Sequence, residues 1–107
     1  MVEKADFQNF DGILRREKTV LADFYSDTCL PCRRMMPVFS ELDTELGWHF
    51  KAVKVNVNCN SELARRYGVR AVPTFILFKN GEEAERIVGA VEKNRLADMI
   101  TGSKRGS

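Results

Sequence analysis

The decisive stretch is Thr19-Val20-Leu21-Ala22-Asp23-Phe24-Tyr25-Ser26-Asp27-Thr28-Cys29-Leu30-Pro31-Cys32. Its first seven residues are β-branched, aromatic and nearly all apolar, which predicts a strand buried at the centre of a sheet. Ser26 to Pro31 reads as a loop. From Cys32 onward Met35, Met36, Phe39, Leu42 and Leu46 keep a helical period. A helix is therefore expected to run to about Gly47, a suitable C-terminal stop. Pro37 lies inside this pattern and predicts a kink.

Two cysteines three residues apart thus sit between a buried strand and the start of a helix. That spacing puts their sulfurs on neighbouring positions of one face, within reach of a disulfide. The unpaired amides and dipole of a helix N-terminus favour a thiolate, the species that attacks disulfides. The pair reads as a nucleophile, Cys29, and a resolving thiol, Cys32. Two plainer readings compete. One is half of a zinc site, although Cys59 and His49 offer no second pair at ligand spacing. The other is two ordinary buried cysteines.

Working outward, Phe7, Phe10, Ile13 and Leu14 predict an amphipathic helix over 6–16. Lys51 to Val57 alternates as a strand, and Ser61 to Tyr67 fits a short helix ending at Gly68. Thr74 to Phe78 reads as a strand. Lys79-Asn80-Gly81-Glu82 is a strong hairpin turn that returns Glu85 to Val88 antiparallel. A closing helix over 91–100 turns Val91, Leu96, Met99 and Ile100 inward. This order implies an α/β fold, a central mixed sheet with helices on both faces. Residues 1–101 form one domain, and 102–107 read as a frayed polar tail.

The chain has 107 residues, 44% hydrophobic and 30% charged, which suits one compact core. It argues against a disordered or disulfide-dense chain. The net charge of +2 is too small for a nucleic-acid footprint. No apolar run is long enough to span a membrane, and Met1 to Asp6 lacks the core of a signal peptide. A cytoplasmic location is the expectation. Three cysteines, an odd count, argue against a structural disulfide framework. Cys59 reads as a spare thiol away from the pair, and Trp48 and His49 read as structural.

Several separated segments agree in order with one known family. Ala22-Asp23-Phe24-Tyr25 precedes Cys29-Leu30-Pro31-Cys32, and Pro37 follows. Lys54-Val55-Asn56-Val57, Val72-Pro73-Thr74-Phe75, Phe78-Lys79-Asn80-Gly81 and Val88-Gly89-Ala90 come next. Over nearly its whole length the chain resembles the thioredoxin family. The resemblance implies the thioredoxin fold and a monomer that reduces disulfides in partner proteins. It also implies re-reduction by a thioredoxin reductase or another electron donor, with no metal or organic cofactor.

The resemblance also suggests supporting roles. A carboxylate in a buried strand should be desolvated and its pKa raised, so Asp23 is a candidate proton acceptor. The family reading assigns it to Cys32; the plainer one is a solvated strand end. The family reading places Lys54 near Asp23, against an outward lysine on a half-exposed strand. It implies a cis Val72–Pro73 bond against the cysteine pair, leaving the Val72 backbone free for an extended substrate. The alternative there is an edge-strand proline. Thr28, Leu30, Pro31, Gly89 and Ala90 would surround Cys29 as a shallow contact platform. Gly89 would permit close approach of a partner, serve as a bulge glycine, or both.

The chain departs from the family pattern beside the motif. Thr28 stands where Trp is usual, Leu30 where Gly is usual, and Tyr25 where a second Trp is expected. Arg33 keeps a positive charge. The proline before Cys32 goes with reducing members. A more oxidising oxidase or isomerase is the alternative within the enzyme class. A redox-inert interaction module of the same fold is the alternative outside it.

Overall fold

A computed structural model describes residues 1–102. Among these residues five strands and four helices follow in the order β1 (Glu3–Ala5), α1 (Phe10–Arg16), β2 (Thr19–Tyr25), α2 (Leu30–Leu46), β3 (Lys51–Asn56), α3 (Ser61–Arg66), β4 (Thr74–Lys79), β5 (Glu82–Val88) and α4 (Lys93–Thr101). The strands form one mixed sheet in the order β1-β3-β2-β4-β5. β1 and β2 run parallel to β3, whereas β4 runs antiparallel to both β2 and β5.

The sheet is covered on both faces. Strand side chains alternate, so Val20, Ala22 and Phe24 of β2 join Phe10, Ile13 and Leu14 of α1 and Leu63 of α3. Leu21 points the other way and packs with Met35, Phe39 and Leu42 of α2 and Leu96, Met99 and Ile100 of α4. Residues 20 to 24 of β2 are all buried, as expected for the central strand.

Several boundaries differ from the sequence reading. β1 was not expected; three residues are too short to show a period. α1 starts at Phe10 rather than residue 6. Asp6 and Asn9 cross-bond side chain to backbone ahead of it, and this turn leaves Phe7 58% exposed. α2 starts at Leu30 rather than Cys32, because Cys29 itself caps it. Pro31 then occupies the first turn, where a missing N–H costs nothing. α2 continues through Pro37 to Leu46. Met36, one of the residues that keep the apolar period of α2, is 50% exposed. Trp48, expected to be structural, is 93% exposed beyond the end of α2, with His49 exposed beside it.

The hairpin follows its sequence signal. Asn80 and Gly81 both take positive φ, 53° and 84°, as the tight turn requires. α4 ends on Gly102 in the left-handed conformation, φ 77°. The rest of the expected polar tail, 103–107, lies outside the described residues.

Candidate active site

The site lies where β2 and β3 end and α2 begins. The loop between β2 and α2 is tied by the buried Ser26. Its hydroxyl accepts from the Thr28 N–H at 3.3 Å and lies 3.2 Å from the Thr28 hydroxyl, and its carbonyl accepts from the Cys29 N–H at 3.3 Å. These contacts set Cys29 at the N-cap of α2. The Cys29 sulfur accepts from the Cys32 N–H at 3.1 Å, satisfying one of the helix's free amides. Cys29 and Cys32 are joined through their sulfurs, with Cα atoms 5.2 Å apart. Cys32 is buried, whereas Cys29 is partly exposed. A partner can therefore reach Cys29 but not Cys32.

The peptide bond between Val72 and Pro73 is cis. It faces the pair, and the Cys29 sulfur lies 3.6 Å from the Val72 carbonyl oxygen. The Gly89 N–H donates to the Pro73 carbonyl at 2.7 Å, so the end of β5 is fastened to the same segment. Gly89 has φ 97°, a conformation that glycine adopts freely. The irregularity in the β4–β5 register lies at Leu77/Phe78, so Gly89 is not the bulge residue. Thr28, Leu30, Pro31 and Ala90 are exposed around this cluster, and Leu30 is 56% exposed despite being apolar.

Asp23 sits on the α2 side of β2, directly paired in register with Lys54 of β3. It is 3% exposed, and its Oδ1 has no hydrogen-bond partner among the described residues. Burial pushes its carboxyl up to about 7, and the Lys54 ammonium only partly offsets this. Asp23 is thus desolvated rather than solvated at a strand end. Lys54 is half-buried and borders the same small cavity of about 110 Å³, together with Tyr25, Met36 and Phe39. An adjoining hollow shares Tyr25, Met36 and Lys54 with it and is lined as well by Cys32 and Arg33. The carboxyl of Asp23 and the buried Cys32 therefore border neighbouring hollows that share one wall. Burial and the nearby Asp27 carboxylate hold the Tyr25 phenol above its ordinary value.

Sequence reasoning missed two supports of the site. One is Ser26, whose place in an apolar-to-loop transition gave no signal. The other is buried Asn56, whose side chain donates to Asp27 at 3.1 Å and accepts from the Asn58 N–H. Cys59 is free and exposed on the loop after β3. Its N–H donates to the Asn56 carbonyl at 3.2 Å, which holds it at the same end of the sheet as the site. Among the described residues no group of three or more His, Cys, Asp or Glu side chains is arranged to hold a metal ion. No described helix is long and apolar enough to cross a membrane.

Chemically, the arrangement offers an accessible sulfur, a buried sulfur to displace it, and a carboxyl whose proton affinity lies near neutrality. Residues 1–102 match the Thioredoxin family model. The chain is 40% identical over 99 residues to thioredoxin from Bacillus subtilis, covering 92% of this chain and 94% of that protein. It is equally identical, over the same length, to the chloroplastic thioredoxin Y of rice, covering 92% of this chain. The chain spans 59% and 56% of the length of the rice thioredoxins Y and M5. Among solved structures, a mutant thioredoxin from Halobacterium salinarum superposes with a TM-score of 0.88 at 34% identity, covering 98% of this chain and 92% of that one.

Proposed function

Because this chain belongs to the thioredoxin family, we propose that it is a thiol–disulfide oxidoreductase that reduces disulfides in partner proteins through Cys29 and Cys32. The observation that carries the reading is the N-cap position of Cys29, a partly exposed residue bonded to buried Cys32 and set against the Val72 carbonyl.

In the cycle, the Cys29 thiolate attacks one sulfur of the partner disulfide. A Cys29–partner bond forms, and the other partner sulfur leaves as a thiolate. Cys32 then loses its proton to Asp23 and attacks the Cys29 sulfur. The Cys29–Cys32 bond forms and the second partner thiolate leaves. The partner gains two electrons and, once protonated, two thiols; the protein is left as its disulfide. A dithiol donor such as a thioredoxin reductase restores it. Val72, held by the cis bond to Pro73, offers its backbone to an extended substrate, and Thr28, Leu30, Pro31, Gly89 and Ala90 form the surrounding contact surface. Lys54 tempers the proton affinity of Asp23. A monomer acting in the cytoplasm without metal or organic cofactor belongs to the same proposal.

The test uses the reduced protein and a disulfide-bonded peptide. Cys29→Ser should abolish turnover, and Cys32→Ser should accumulate a mixed disulfide visible by mass spectrometry. Turnover retained by Cys29→Ser would sink the mechanism. Direction is read from the equilibrium potential of the pair, measured by alkylation in a Cys59→Ser background. A value near about −270 mV supports a reductase, and one above about −200 mV supports an oxidase or isomerase.

A further inference from the structure

Three arginines whose charge the exchange step does not use lie near Cys29 and the cis-proline segment, within a few residues of them along the chain. Arg33 lies one helical turn beyond Cys29, its N–H donating to the Cys29 carbonyl at 3.1 Å, and its side chain borders the hollow that Cys32 lines. Arg34 lies one turn beyond exposed Leu30. Arg70 is two residues from Val72, whose carbonyl touches the Cys29 sulfur. All three arginines are exposed, and none has an ion-pair partner among the described residues.

Other surface cations divide into two groups: Lys4, Arg15, Lys18, Arg65 and Lys79 also have no ion-pair partner among the described residues. Arg16, Arg66, Arg86, Lys93 and Arg95 are each paired with a carboxylate. Two features bear on the arginines beside the active site. The first turn of α2 holds no acidic residue, and basic side chains near a helix N-terminus oppose the helix dipole. Local helix stability therefore does not explain Arg33 and Arg34. The neighbouring carboxylate, Asp27, is engaged by the Asn56 amide rather than by an arginine.

We infer that Arg33, Arg34 and Arg70 form an electrostatic collar that selects disulfides flanked by Asp and Glu in partner proteins. The inference rests on the reductase reading and names the class of substrate that the same site prefers. Unpaired cations around a small contact area raise encounter rates for anionic partners and disfavour cationic ones, and salt screens the effect. The flat aromatic contact that the family usually sets before the first cysteine is here the small polar Thr28. Charge thus takes a larger share of recognition.

The test compares three disulfide-bonded peptides identical except for flanking Glu, Gln or Lys. Their reduction by the full reduced chain is followed at low and high salt. Electrostatic steering predicts that the Glu peptide is reduced roughly tenfold faster than the Gln peptide at low salt and the Lys peptide slower, with the differences collapsing at high salt. In R33Q/R70Q the Glu-to-Gln ratio should fall to near one, and R33K/R70K should restore it. Equal rates for all peptides in the unaltered chain would overturn the inference while leaving the reductase reading intact. So would a ratio that survives R33Q/R70Q. Failure to reduce any of the three would overturn both.

Discussion

Under α1 and α3, the sheet is closed by aromatic rings. Phe10 is fully buried, with ring centroids 6.2 Å from Phe24, 5.6 Å from Tyr67 and 5.6 Å from Phe78. Under α2 and α4 the same strands contribute Leu21, Phe75 and Leu77, and Phe39 meets Phe75 at 6.0 Å. Yet this second face also carries Asp23, buried with an oxygen that no described residue pairs. The first face buries no charge among the described residues, and the hydroxyl of its buried Thr74 donates to the Ala71 carbonyl at 2.7 Å; the other gives up stability where β2 approaches the cysteine pair. The contrast separates holding the fold from handling a proton, and each face can be perturbed on its own.

The largest effect is expected on the aromatic face. Truncating a fully buried Phe costs about 3–5 kcal/mol, so Phe10→Ala should lower the free energy of urea unfolding by that amount. Turnover per folded molecule should stay near that of the unaltered chain below the new melting temperature. If turnover fell in proportion to stability, the two faces would not be separable in this way.

Asp23→Ala should move both quantities in opposite directions. The folded chain holds the Asp23 carboxyl at about 7, whereas an unperturbed aspartate titrates near 3.8. The native state therefore keeps its proton over a range in which the unfolded chain has lost it, and stability declines as pH rises from about 4 to about 7. At 1.36 kcal/mol per unit, the full cost of ionising Asp23 in place is roughly 4 kcal/mol, reached above pH 7. Asp23→Ala in the disulfide form should gain about 2–4 kcal/mol at pH 8, and the gain should shrink toward pH 4. The same variant should slow turnover at pH 8 about tenfold, and it should erase the rise in rate through pH 7 that accompanies Asp23 ionisation. A stabilised Asp23→Ala with an unchanged pH–rate profile would leave the carboxylate as a packing flaw rather than a proton acceptor.

The aromatic face was legible in the sequence because alternation and helical period are signals repeated over many residues. β2 was readable as buried on both faces, and Asp23 stood out as the one charge in it. The ordered motifs located Cys29, Cys32 and Pro73. What escaped was either short or decided by a single contact. β1 has three residues and no period to detect. Met36 fits the apolar stripe of α2 but sits on its flank, where it borders the hollows beside Asp23 and Cys32. Trp48 follows the last turn of α2, and nothing in its neighbours' polarity announced that the ring would face water. The start of α2 was misjudged by two residues because a cysteine is an uncommon cap. Its sulfur took the place that Ser, Thr, Asp or Asn usually fills.

The smallest expected effect sharpens the comparison from the stable side. Arg66 of α3 reaches Asp11 of α1 at 2.8 Å, bridging the two helices that cover the aromatic face, and both side chains are about half exposed. Its guanidinium also lies 5.8 Å from the centroid of the Tyr67 ring, a member of the same aromatic cluster. An exposed ion pair contributes about 0.2–1 kcal/mol and is screened by salt. A surface cation over a ring contributes about 0.5–1 kcal/mol and does not need Asp11. Asp11→Asn removes only the first contact, whereas Arg66→Gln removes both. Urea unfolding at low and high salt should therefore show Asp11→Asn losing its effect at high salt, while Arg66→Gln retains part of its own. Equal and fully salt-sensitive losses in both variants would reduce the contribution of Arg66 to the ion pair alone. The stability of this face would then rest on its buried rings and not on the charges laid over them.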